Sequence, residues 1–210
     1  MTKKENKEEW KSLNRLDMWK DYVELKYSKG KCIACGICIQ VCPKDAILLN
    51  PPAASIRGYI LEDPIDLDKE KCVMCGVCVA LCPEDAIKVF VDGEERTLIV
   101  ENNGLPDEFK FEGEIEIEQE KCPKGCNACE DICKEDAIKV DKTVELDTDK
   151  CTYCGACVIG CPAEVIHLKR TRIICEEPDT KIMEEVKERL IGEVRLENLI
   201  KNVQGNNQQG

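Results

Sequence analysis

Seventeen of the 210 residues are cysteine, and sixteen of these fall into four runs of four. Cys32, Cys35, Cys38 and Cys42 follow the spacing C-x2-C-x2-C-x3-C, with Pro43 next. The spacing recurs at Cys72, Cys75, Cys78 and Cys82 before Pro83, and at Cys151, Cys154, Cys157 and Cys161 before Pro162. The remaining run, Cys122, Cys126, Cys129 and Cys133, has one extra residue after its first cysteine and Lys134 where the others have proline. Three thiolates two residues apart can wrap one loop around three corners of an iron–sulfur cubane, with backbone N–H groups aimed at its sulfurs. The fourth, expected to start a return helix, points away and ligates the other cubane of a pair. Proline after it lacks an N–H and fixes φ, which suits the turn.

Pairing neighbouring runs by this crossing rule divides the sixteen thiolates into four [4Fe–4S] clusters with none missing. Cluster 1 takes Cys32, Cys35, Cys38 and Cys82, and cluster 2 takes Cys72, Cys75, Cys78 and Cys42. Cluster 3 takes Cys122, Cys126, Cys129 and Cys161, and cluster 4 takes Cys151, Cys154, Cys157 and Cys133. The first pair requires an insertion around Pro51-Pro52-Ala53-Ala54-Ser55 to loop outward. In the third run Gly125 is expected to absorb the extra residue. Lys134 beside Cys133 is expected to raise the potential of the cluster that cysteine ligates.

Other cysteine chemistries fit less well. Four-cysteine zinc sites separate two C-x2-C pairs by a long gap, whereas here the third and fourth cysteines follow at once. A disulfide scaffold disagrees with the odd count and with the lack of a secretion signal. A thioredoxin-like active site has no use for four copies. Cys175 lies outside the runs, in an apolar stretch where an inert thiol is expected. His167 is the only histidine, without an evident partner for proton transfer.

The elements that must hold these loops are short. Strand-like runs precede the cysteines at 23–27, 65–67, 115–117 and 144–146, and follow them at 47–49, 87–91, 138–140 and 165–168. Between the third and fourth cysteine of each run there is room for one or two helical turns. The expected fold class is α+β: two tandem bacterial-ferredoxin-like modules with little regular structure, at 23–100 and 112–175. The turn formers Asn102-Asn103-Gly104-Leu105-Pro106-Asp107 mark the boundary. Trp10, Leu13, Leu16, Trp19 and Tyr22 form a helix-like stripe, making 1–22 an expected N-terminal helical docking segment. Residues 179–210 read as an amphipathic C-terminal helix over 179–203, then a disordered tail.

Aromatic residues make up only 4% of the chain, so cluster binding is expected to supply much of the folding free energy. The net charge of −12 disfavours nucleic-acid partners. The N-terminus is charged rather than apolar, and no stretch could span a membrane, so a cytoplasmic location without membrane insertion is expected. The chain lacks a GxGxxG loop, a P-loop and a second histidine. It therefore reads as a non-catalytic electron-transfer protein.

The four repeats resemble polyferredoxins. The stretch Pro51-Pro52-Ala53-Ala54-Ser55-Ile56-Arg57-Gly58, the following Asp63-Pro64-Ile65-Asp66-Leu67-Asp68 and Cys72, and the Lys121-Cys122-Pro123-Lys124-Gly125-Cys126 form of the third run are more particular. They resemble the polyferredoxin subunit of the tungsten or molybdenum formylmethanofuran dehydrogenases of methanogenic archaea. That resemblance implies an anaerobic hetero-oligomeric complex in which other redox subunits are electron donor and acceptor. An iron–sulfur subunit of another complex, of hydrogenase, 2-oxoacid oxidoreductase or heterodisulfide reductase type, remains an alternative. So does an adaptor whose clusters are mainly structural.

Overall fold

The computed structural model describes residues 9–50, 63–176, 178–195 and Leu199. The insertion at 51–55 and the tail after Val203 lie outside the described residues. The fold is α+β, with small sheets and one-turn helices around the cysteine loops.

The first half contains strands β1 (Lys11–Asp17), β2 (Tyr22–Tyr27), β3 (Ile47–Leu49), β4 (Ile65–Leu67), β5 (Ile87–Val91) and β6 (Glu94–Glu95). Its helices are α1 (Ile37–Gln40), α2 (Val77–Ala80) and α3 (Leu98–Glu101). Strands β1-β2-β5-β6 form an antiparallel sheet, and β3 pairs with β4. The second half contains β7 (Phe109–Ile117), α4 (Ala128–Ile132), β8 (Ile138–Val140), β9 (Val144–Leu146), α5 (Ala156–Ile159) and β10 (Ile166–Cys175). It ends with α6 (Lys181–Leu190) and β11 (Gly192–Val194). Strands β11-β10-β7 form one sheet, and β8 pairs with β9.

Both expected terminal helices need correction. Residues 11–17 form strand β1 on the open edge of β2. A short segment gains little as an isolated helix, whereas the β2 edge offers a ladder of hydrogen bonds. Only Leu13 of the expected stripe is buried, while Trp19 is 98% exposed. Trp10 instead lies against the ammonium groups of Lys31 and Lys88. At the other end, the expected helix is present over Lys181–Leu190, and strand β11 interrupts it at Gly192–Val194; residues 196–198 and 200–203 of the expected span lie outside the described residues. The helix is capped by the Thr180 hydroxyl, which accepts a hydrogen bond from the Met183 N–H, and it buries Met183, Val186 and Leu190. Ile191, its C-cap, is extended, and β11 pairs with the free edge of β10.

One apolar cluster lies almost wholly in the first half, and the other spans both halves. Ile33, Ile37, Val41, Val77 and Leu81 pack in one apolar cluster with Phe111, Ile132, Ile138, Ala156 and Val165. Helix α6 fastens this junction. The Arg189 Nη1 donates to the carbonyls of Gln40 (3.3 Å) and Cys42 (2.9 Å) just past α1, and to the Asp45 carboxylate (3.2 Å). A cation there satisfies carbonyls that the helix leaves open.

Candidate iron–sulfur centres

Helices α1, α2, α4 and α5 each carry the third cysteine of a run, and the fourth follows the helix end: Cys38 lies within α1, and Cys42 comes after its C-cap Val41. The expectation that the fourth cysteine starts the helix is corrected accordingly. The helix begins one residue before the third cysteine and ends short of the fourth, so the fourth leaves from the opposite end of the turn. It is thereby delivered to the neighbouring loop.

Four cavities of about 320 to 440 Å³, counting their open mouths, result. Cavity 1 is lined by Cys32, Cys35, Cys38 and Cys82. Cavity 2 is lined by Cys72, Cys75, Cys78 and Cys42. Cavity 3 has Cys122, Cys126, Cys129 and Cys161, and cavity 4 has Cys151, Cys154, Cys157 and Cys133. The structure thus brings together the four groups of four that crossing between neighbours prescribes. Among the described residues, no three His, Cys, Asp or Glu side chains converge on a single-ion position. A tetrahedral zinc site holds its four sulfurs at about 2.3 Å from one point, so thiols spread around a cavity suit a larger group.

The backbone is shaped to hand N–H groups to these sulfurs. Asp45, Asp85 and Asp136 sit at φ of +48°, +47° and +49°, a region that aspartate tolerates better than most residues. The next residue then donates its N–H to the fourth cysteine: Ala46 to Cys42 Sγ (3.2 Å), Ala86 to Cys82 Sγ (3.2 Å) and Ala137 to Cys133 Sγ (3.3 Å). Each alanine is at most 2% exposed, so a longer side chain would not fit there. The repeated Asp-Ala-Ile triplet is therefore part of the sulfur environment. Ala34 and Tyr153, also at positive φ, donate to Cys32 Sγ (3.4 Å) and Cys151 Sγ (3.5 Å). Gly125 takes up the extra residue of the third run at φ +79°.

Burial raises the thiols of Cys35, Cys38 and Cys78 well above the ordinary thiol range, and neighbouring cysteines add to the effect. Burial pushes Cys129 up to about 11. Such groups stay neutral by themselves and become thiolates only beside strong positive charge, which iron supplies. Tyr27 gives a second sign of fit. Its hydroxyl is buried in the wall of cavity 1 without a hydrogen-bond partner among the described residues, and its ordinary pKa is raised by burial and then by Cys32. An anionic sulfur ligand set in the cavity would give that donor an acceptor.

The remaining candidates fall outside the cavities. Cys175 ends β10 opposite Phe109 and lines none of the four. His167 Nε2 lies 2.8 Å from the Glu118 carboxylate at the surface. Lys134 forms an ion pair with Glu84 of the first half. This pairing cancels much of the field that Lys134 is expected from sequence to place on cavity 4. Sequence reasoning missed Arg170, which is fully buried between the halves. An arginine at an inward position of an alternating strand was the available signal.

Cavities 1 and 4 share Ile33 and Glu84 in their walls, so they meet across the junction. Cavities 1 and 2 are joined through α1 and α2, whose ends supply cysteines to both; α4 and α5 join cavities 4 and 3 in the same way. The order through the molecule is 2, 1, 4, 3. Cys75 of cavity 2 is exposed and borders a groove of about 670 Å³ with Leu16, Met18 and Leu98.

Comparison with known proteins gives the same picture. Residues 31–86 and 121–165 match the 4Fe–4S dicluster domain. A 46-residue stretch is 48% identical to a subunit of the ion-translocating oxidoreductase complex of Methanosarcina acetivorans, covering 21% of this chain and 17% of that protein. Another of 46 residues is 39% identical to the polyferredoxin protein FwdF of Methanocaldococcus jannaschii, covering 22% and 13%. The chain thus spans well under a quarter of the length of either relative. A chain of the formate dehydrogenase–heterodisulfide reductase–formylmethanofuran dehydrogenase complex of Methanospirillum hungatei has the same fold, with a TM-score of 0.74 at 24% identity over 85% of this chain and 88% of that one. No helix among the described residues is long and apolar enough to cross a membrane. Residues 31–86 and 121–165, just under half of the chain, are thus similar to the 4Fe–4S dicluster domain, and the cysteine loops within them are of the kind that holds [4Fe–4S] clusters.

Proposed function

We propose that the protein is a cytoplasmic, non-catalytic relay of single electrons between larger redox subunits, in a complex of the formylmethanofuran dehydrogenase type. In this reading Cys32, Cys35, Cys38 and Cys82 hold cluster 1, and Cys72, Cys75, Cys78 and Cys42 hold cluster 2. Cys122, Cys126, Cys129 and Cys161 hold cluster 3, and Cys151, Cys154, Cys157 and Cys133 hold cluster 4. A bound [4Fe–4S] cluster takes up and returns one electron at a potential set by charge, sulfur hydrogen bonds and burial. The polypeptide fixes that environment through the N–H groups of Ala46, Ala86 and Ala137 and through the apolar walls. With four thiols already around each cavity, no iron coordination position is left for a substrate.

The observation that carries this reading is the file of four cysteine-lined cavities, with its inner members touching and an outer member opening beside Cys75. Likeness to archaeal redox-complex proteins supports the choice of complex. A second reading, in which the clusters mainly hold an adaptor together, draws on the burial of Cys35, Cys38, Cys42, Cys129 and Cys157 within the apolar clusters. Anaerobic purification of the native complex followed by a redox titration separates the two. A relay shows four reversible one-electron steps and re-reduction by its partner faster than turnover. A complex that keeps full activity after these steps are lost excludes the relay.

A further inference from the structure

Arg170 is the single buried residue among those described that carries a formal charge, with 0% exposure. It lies on β10 at the third inward position after Ile166 and Leu168, immediately before a register shift between Arg170 and Arg172. That irregularity restarts the inward alternation at Ile173 and leaves the guanidinium inside the molecule. Its partner in the sheet is Gly113. A Cβ on Gly113 would come within 2.9 Å of the Tyr153 ring and 2.6 Å of the Lys169 carbonyl, so the missing side chain makes room.

All the acceptors of Arg170 are uncharged. Nε donates to the Tyr153 carbonyl at 2.9 Å, Nη1 to Gln40 Oε1 at 3.0 Å and Nη2 to the Cys154 carbonyl at 2.7 Å. The guanidinium also lies 4.8 Å from the centre of the Phe111 ring. Among the described residues no carboxylate pairs with it. A buried cation without a counter-charge is destabilising, and natural cores rarely keep one. Cys154 lines cavity 4. Gln40 ends α1, the helix that carries Cys38 of cavity 1, and the Cys35 carbonyl lies 3.9 Å from where a Cβ on Gly155 would stand, beside Arg170 Nη2. Cys35 and Cys154, one from each inner cavity, both bring backbone close to the guanidinium, and their thiols are groups that carry negative charge when they ligate.

We propose that Arg170 is the shared counter-charge of the clusters held in cavities 1 and 4, and that it raises the reduction potentials of these two above the values they would have without it. The inference rests on the cluster assignment proposed above. A fixed positive charge favours the more negative, reduced state of each neighbour. It also offsets the repulsion between two anionic groups placed side by side. Arginine keeps its proton throughout, so the one electron taken up from a mediator is not accompanied by a proton from this residue.

The test is an anaerobic redox titration of the full-length holoprotein, with dithionite and mediator dyes, read by electron paramagnetic resonance. Iron and sulfide are measured on the same samples. Arg170→Gln is expected to lower two of the four steps by at least tenfold in reduction equilibrium, which is 59 mV for a one-electron couple, and to leave the other two in place. Arg170→Lys keeps the charge and is expected to recover at least half of that shift. Gln40→Glu, isosteric and placed to pair with Arg170, is expected to lower the same two steps; it decides the matter if Arg170→Gln does not load its clusters. Full iron content with all four steps unmoved in Gln40→Glu and Arg170→Gln overturns the proposal, as does a shift in Arg170→Lys as large as that in Arg170→Gln. A wild-type chain that binds zinc or little iron instead defeats the cluster assignment itself.

Discussion

Cavities 1 and 4 meet at the centre of the molecule, and cavities 2 and 3 lie at its ends. The inner pair shares wall residues, sits in the common core and has the buried guanidinium of Arg170 between its cysteine loops. At the outer end of the file Cys75 is exposed, with the large apolar side chains of Met18, Trp19, Val73 and Leu98 also exposed. One repeated loop therefore serves two purposes. Its surroundings, rather than its cysteines, decide whether it joins the halves or faces a partner.

The largest effect should come from removing the clusters. Anaerobic chelation with an oxidant is expected to abolish the cooperative melt of both halves, because several cavity cysteines are themselves core residues. A retained cooperative calorimetric transition in the apoprotein would show that packing alone holds the junction. Next comes the shared core. Leu81 is 1% exposed, and Leu81→Ala should cost about 2–5 kcal/mol. The outer Leu98, 42% exposed, should lose no more than about 0.5 kcal/mol on the same truncation. Denaturant midpoints of the two holoproteins compare them directly, and equal losses would erase the distinction between centre and end.

Glycines sharpen the contrast further. Gly36 and Gly125 both have positive φ, so alanine at either costs about 1–2 kcal/mol of backbone strain. At Gly36 the new Cβ would also stand 2.6 Å from Leu199 Cδ1 and 3.0 Å from Ile159 Cδ1, whereas at Gly125 nothing lies within 4 Å. Gly36→Ala should therefore lower the melting temperature more than Gly125→Ala; the reverse order would mean that the neighbours of Gly36 move aside freely. The smallest effect is expected at Lys134, half-exposed and paired with Glu84. Lys134→Ala should change stability by less than about 1 kcal/mol and shift the cluster steps far less than Arg170→Gln.

The cysteine groups were legible because their spacing is local and repeated, and so were most of the short strands beside them. Tight loops with few residues leave little room for tertiary context to change the outcome. The terminal segments were not legible. Residues 11–17 carry helix-like spacing yet join β2, since the availability of a sheet edge is a property of the folded whole. The C-terminal periodicity runs on past Leu190, yet the chain turns extended at Ile191 and pairs as β11 with the edge of β10. Asp-Ala-Ile was visible as a repeat, but its reason appeared only when the positive φ of the aspartates placed the alanine N–H on sulfur. Arg170 was the hardest to read: the strand alternation puts it at an inward position, but what lies inside there, the junction of two modules, is a property of the folded whole.

Anaerobic determination of iron, acid-labile sulfide and zinc per folded chain tests the central claim most directly. Four filled cavities predict about sixteen irons with as many sulfides and no zinc. Stoichiometric zinc, or an iron content near half of that in a fully folded protein, contradicts it.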